Sequence, residues 1–194
     1  MITIMSNFSK GPRRLSICGR IFGTIMIFAL GAFSTKSASA EEVVANNTSA
    51  VTQAVLGIMS YVRWPSDPAE LHLCVLADAA YAGGLLAASH RAANRPVTAK
   101  RIAIESQTLT SACHVAFVGR TSPAEHGRVF SRLTGLPVLT ISEDDPSCSA
   151  GSMFCLTVGG GQISFQVNLD AIARSGLRVH PSVLRLGQRR GVSP

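Results

Sequence analysis

Ser147-Cys148-Ser149-Ala150-Gly151-Ser152-Met153-Phe154-Cys155-Leu156-Thr157-Val158-Gly159-Gly160-Gly161-Gln162-Ile163-Ser164-Phe165-Gln166-Val167 is a cysteine-bracketed loop running into a glycine-turned hairpin. Gln162 to Val167 alternates with the period of two that a strand needs. Three glycines between two β-rich runs predict a hairpin turn. No catalytic motif lies in this stretch.

Upstream the pattern is different. Leu71 to Ala77 is almost entirely apolar, as a central parallel strand buried on both faces would be. Val97 to Ile104, His114 to Val118 and Pro137 to Ile141 read as three more strands. Helices fall between them. Tyr81 to His90 is expected to be helical, and Ser122-Pro123-Ala124-Glu125 is a capping box with proline at the first helical position. Strands alternating with helices pair in parallel through right-handed crossovers. The expected fold is an α/β sandwich: a mixed, mostly parallel sheet of about five or six strands, a common size, flanked by helices and carrying a late antiparallel hairpin.

At the front of this unit, Thr48 can cap a helix whose apolar positions are Val51, Val55, Ile58, Met59 and Val62. Asn46 to Val62 contains no charged residue, so this helix is either buried in its own fold or covered by a partner. Arg63-Trp64-Pro65 ends it, because the residue before proline is pushed out of helical geometry. At the other end Asn168 caps a short helix closed by Gly176, and Leu177 to Leu186 packs again.

Residues 1–40 read as a cleaved signal peptide. Lys10, Arg13, Arg14 and Arg20 precede the apolar run Ile21 to Phe33, and Ala38-Ser39-Ala40 supplies small residues for cleavage. Of the chain's 18 basic residues, five (Lys10, Arg13, Arg14, Arg20, Lys36) lie in this leader, which has no acidic residue; its loss takes the formal charge from +7 to +2. The basic balance is thus largely a targeting signal and gives no argument for nucleic acid. Residues 41–188 are expected to form one exported α/β domain, with 189–194 a frayed tail.

Of five cysteines, Cys18 falls in the leader. An even set remains in an exported chain: Cys74, Cys113, Cys148 and Cys155. This suggests two disulfides with three possible pairings. Cys148 with Cys155 is the local choice. Cys74 and Cys113 sit in or just before two strands, and neighbouring strands bring Cα atoms within bonding range.

Other chemistry is thin. Cys-x6-Cys lacks the spacing of a thiol oxidoreductase. Cys113 and His114 are adjacent, and neighbours on a strand point to opposite faces. His72 and Cys74 share a face, yet no third metal ligand is visible. The three glycines lack the lysine and the strand-to-helix context of a phosphate loop. Glu143-Asp144-Asp145 lacks calcium-ligand spacing and reads as a solvated turn. No catalytic residue, metal or cofactor is assigned. Arg63, Trp64, Arg178 and His180 are candidate ligand-binding residues for a small anionic or aromatic compound, an arginine pair suiting carboxylate or phosphate. Phe154, Phe165, Leu169 and Ile172, on or beside the hairpin, are candidate partner contacts.

Several segments, in their order, resemble the YfiR-like periplasmic proteins. They are Tyr61-Val62-Arg63-Trp64-Pro65, Leu73-Cys74-Val75-Leu76, Cys113-His114-Val115-Ala116-Phe117-Val118, Pro137-Val138-Leu139-Thr140-Ile141-Ser142 with its acidic turn, and Ser175-Gly176-Leu177-Arg178-Val179. The resemblance implies a non-enzymatic, redox-sensitive repressor, homodimeric in the periplasm. Its implied target is the periplasmic region of an inner-membrane diguanylate cyclase, and through it cyclic-di-GMP and biofilm formation. An outer-membrane lipoprotein, YfiB, would relieve repression by sequestering it. The implied pairs are Cys74–Cys113 and Cys148–Cys155. The alternative is a periplasmic solute-binding protein.

Overall fold

A computed structural model describes residues 40–188 apart from Asp144, Pro146, Ser149, Ala150, Gly160 and Gly161. The leader up to Ser39 and the tail 189–194 lie outside the described residues. No helix among those described is long and apolar enough to cross a membrane.

The parallel strands form because they can be buried on both sides. β2 (Leu71–Leu76) lies between β4 (Arg95–Arg101) and β5 (Val115–Val118), and β6 (Leu139–Ser142) and β7 (Phe154–Gly159) follow in parallel. The register sets Leu73 beside Val115 and Val115 beside Leu139. Alternate residues of the central strands serve two cores. Leu71, Leu73, Val75, Val115 and Phe117 pack on one side, and Cys74, Leu76, Ala116 and Val118 on the other.

α1 (Ala40–Ser60) covers the first side with Val51, Val55, Ile58 and Met59. From Asn47 onward only Ser49 and Gln53 of this helix are exposed. The chargeless stretch is therefore buried against its own fold. α3 (Leu109–Ala112) and α4 (Pro123–Leu133) cover the second side with Leu109, Val129, Phe130 and Leu133. Ser122 and Glu125 form the reciprocal capping box at the start of α4.

The mixed, mostly parallel sheet and its hairpin are present, with seven strands in the order β3-β4-β2-β5-β6-β7-β8, the last being Gln162–Val167. The extra strand is β3 (His90–Ala92), antiparallel to β4. It begins at His90, the last residue of the helix expected over Tyr81 to His90, and α2 is only Gly83–Ala87. Ala93 and Asn94 both have positive φ (47° and 67°), as a two-residue hairpin loop requires. That turn has no glycine, which hid it.

Three further expectations need correction. α1 starts at Ala40, so Thr48 is interior, not a cap. The strand expected to end at Ile104 ends at Arg101. The acidic turn is not merely solvated. Glu143 accepts the backbone N–H groups of Ala80 and Tyr81, and buried Asp145 accepts from Ser147 Oγ (3.1 Å) and Cys148 N (3.0 Å).

Candidate functional site

In open α/β sheets ligands bind beyond the carboxyl ends of the strands, where successive connections leave in opposite directions. Here that point lies between β2 and β5, and the chain fills it. Asp78 pairs with Arg120 across it, and Gly119 N donates to Leu76 O (3.0 Å). A Cβ on Gly119 would lie 2.4 Å from Ala79 N, so only glycine permits this closure. Glu143 then holds the Ala80–Tyr81 backbone down. A separate hollow of about 290 Å³ lies nearby, walled by Tyr81, Arg120, Glu143 and Leu156.

The stapled loop and hairpin build a different surface. Cys148 and Cys155 are joined (Cα–Cα 5.5 Å), as are Cys74 and Cys113 (5.8 Å). The hairpin pairs Phe154 with Val167 and Cys155 with Gln166. β8 (Gln162–Val167) leads directly into α5 (Leu169–Ser175). Asn168 fixes that junction. Its N–H donates to Met153 O (2.9 Å), its Oδ1 accepts from Ala171 N (2.9 Å), and its Nδ2 donates to Cys148 O (3.1 Å). Gly151, at φ 118°, brings the loop onto Phe130, where a Cβ would lie 2.9 Å from the ring.

The four candidate contact residues separate by depth. Phe154 is fully buried and packs edge-on against Phe165, ring centroids 5.7 Å apart. It is a core residue and presents no surface to a partner, because strand β7 turns it toward α1. Phe165 and Ile172 are half-buried against the same core. Leu169 is 71% exposed, the most exposed large apolar side chain among the described residues. On α5 the inward positions are taken by Ala171 and Ser175, which leaves Leu169 outside. Asp170 and Arg174 form an exposed i,i+4 pair beside it (3.2 Å).

The second candidate set meets on a two-stranded ribbon. β1 (Val62–Arg63) pairs antiparallel with β9 (Arg178–Val179), setting Arg63 opposite Arg178 and Val62 opposite Val179. Directly opposed residues point to the same face. The valines turn inward and both arginines stand in solvent. His180 N donates to Tyr61 O (2.9 Å), extending the ribbon. A groove of about 490 Å³ is lined by Tyr61, Arg63, Arg178, His180 and Pro181.

Arg63 spends Nη1 on the carbonyls of Val62 (3.1 Å) and Ser60 (3.4 Å), and neither arginine pairs with a carboxylate among the described residues. Two like charges facing each other repel, and an anion between them would relieve it. His180 Nδ1 accepts from Ser182 N (3.1 Å), starting a 3₁₀ turn at Pro181–Val183. Trp64 walls a second hollow of about 440 Å³ with Arg63 and Arg178. It is only 5% exposed, and its indole N–H donates to His114 O (3.1 Å). It is thus mainly a core residue supporting the arginines.

Sequence reading missed His114 and Asn168's second bond. His114 Nδ1 accepts the backbone N–H of His72 (2.9 Å). Burial holds its imidazole below the usual pKa of 6.5, neighbouring His72 lowers it further, and Glu70 opposes. Among the described residues no cluster of His, Cys, Asp and Glu could hold a metal. His72 shares a strand with Cys74, but that cysteine is committed to its disulfide.

A family model described as YfiR/HmsC-like matches residues 48–188. That match begins inside α1, takes in every strand of the sheet, and ends with the short helix α6 (Leu184–Gln188). The chain belongs to the YfiR/HmsC-like family.

Proposed function

We propose that this protein is a periplasmic signalling repressor that binds the periplasmic region of an inner-membrane diguanylate cyclase and holds down cyclic-di-GMP output. Membership of a regulatory family is consistent with a periplasmic regulator of cyclic-di-GMP signalling. The observation that carries the contact mechanism is Leu169: an apolar side chain 71% exposed on a helix whose start is pinned to a stapled loop. An exposed apolar residue on a rigid mount suits a buried anchor at a protein interface. The lipoprotein YfiB would compete for the protein and release the cyclase. Co-purification of the oxidised protein with the cyclase's periplasmic region tests this; absence of binding by well-folded, oxidised protein overturns it.

A second reading is a receptor for a small anion, favoured by the opposed Arg63 and Arg178 beside the half-buried ring of Tyr61. Carboxylate or phosphate would sit between the guanidinium groups. Thermal-shift screening with aliphatic and aromatic carboxylates and with inorganic phosphate tests it. If none raises the melting temperature, that reading fails.

A further inference from the structure

Where β2 and β5 begin, His72 and His114 are bound to each other twice. His114 N donates to His72 O (2.9 Å), and His72 N donates to His114 Nδ1 (2.9 Å). The rings stand 5.2 Å apart. His114 O in turn accepts from Trp64 Nε1 (3.1 Å) and Leu139 N (3.0 Å). One residue, at the entry to β5, thus ties together β2, β6 and Trp64, which directly follows β1. Trp64 is the next residue after Arg63, whose partner across the ribbon is Arg178.

We propose that the His72–His114 pair is a pH-sensitive latch, closed while His114 is neutral, that holds Trp64 and the Arg63–Arg178 ribbon in place. An acceptor at Nδ1 requires the neutral ring to carry its proton on Nε2. Protonation puts a second N–H where the His72 N–H already points, so the bond is lost and the two donors oppose each other. His114 must then shift, and its carbonyl carries Trp64 with it.

The groups that act on His114 are few. His72 on β2 and Glu70 just before it are the titratable ones. Trp64, just after β1, and Leu139 from β6 bring neutral N–H donors, and Cys113 is in a disulfide. With its folded pKa lowered, His114 takes up its proton less readily than in the unfolded chain. The stability tied to the neutral ring is complete above about pH 6.5 and declines as pH falls toward the lowered value.

The chain has one tryptophan, so its single indole N–H resonance reports the latch directly. An NMR titration of the intact oxidised protein between pH 7.5 and 5 should show the His114 ring as the Nε2–H tautomer at high pH. The indole resonance should move with the same midpoint as His114, below the ordinary histidine value. His114→Asn keeps an acceptor near the Nδ1 position without a titrating group, and should flatten the indole shift. An indole resonance that stays fixed while His114 titrates overturns the proposal. So does an Nδ1–H tautomer, or a midpoint at or above the ordinary value. If His114→Asn does not fold, the wild-type titration alone decides.

Discussion

The side-chain amide of Asn168 joins the stapled loop to helix α5: Nδ2 donates to Cys148 O while Oδ1 accepts from Ala171 N. One residue therefore caps the helix that carries Leu169 and anchors that cap to the loop closed by Cys148–Cys155. Asn168→Ala should cost about 1–2 kcal/mol of stability, the usual value of a lost N-cap, and should weaken partner binding beyond that loss. Asn168→Asp keeps the cap acceptor but not the amide donor to Cys148. It should fold nearly as well and still bind more weakly. Urea denaturation alongside a binding titration separates the two effects.

Depth distinguishes Phe154 from Leu169. Truncating the fully buried ring in Phe154→Ala should cost about 3–5 kcal/mol. Leu169→Ala should change stability by less than about 0.5 kcal/mol, as an exposed substitution does, while reducing cyclase binding. Thermal melts of both variants check the first contrast, and titration with the periplasmic region checks the second.

The two disulfides close loops of different size, 39 and 7 residues apart in sequence. In the chain-entropy account the longer contributes roughly 4 kcal/mol and the shorter about 2.5. Replacing both Cys74 and Cys113 by alanine should therefore destabilise more than replacing Cys148 and Cys155, and should derepress the cyclase. Equal melting temperatures for the two double variants would contradict this ordering.

Arg178→Ala removes one of two facing cations and should leave the unliganded protein as stable as wild type, or slightly more so. Any anion that raises the wild-type melting temperature should lose that effect in the variant. At a hundredfold excess over its dissociation constant such a ligand would stabilise by about 2.7 kcal/mol. A differential scanning fluorimetry series reads both arms.

Glu125 offers an acid-side check. Its hydrogen bonds from the Ser122 backbone and hydroxyl hold the carboxyl below its ordinary pKa of 4.5. The capping box therefore contributes fully above that pH, and its contribution falls away as the carboxyl protonates at the lowered value. Amide exchange in the first turn of α4 should accelerate there, and Glu125→Gln should remove the pH dependence.

Much of the architecture was legible because it follows from burial and backbone rules. Leu71–Leu76 is apolar at nearly every position because both faces are covered, and Ser122-Pro123-Ala124-Glu125 is a local motif that needs no tertiary context. β3 was not legible, since Ala93 and Asn94 adopt positive φ without a glycine to advertise it. The site was half legible. Arg63 and Arg178 could be named, but their meeting depends on a ribbon of two residues per strand, too short to show periodicity. Phe154 and Leu169 are both large, apolar and close to the hairpin. Only the direction in which β7 and α5 turn them decides that one is core and the other surface. His114 gave no signal, because its role rests on a backbone N–H from a strand 42 residues away.

The most direct test of the repressor reading is a calorimetric titration of the oxidised protein with the periplasmic region of the cyclase, run in parallel with Leu169→Asp. The account predicts saturable binding by the wild type and its loss in the variant, with both proteins melting alike. Absence of binding by the folded wild type, or undiminished binding by Leu169→Asp, would contradict it.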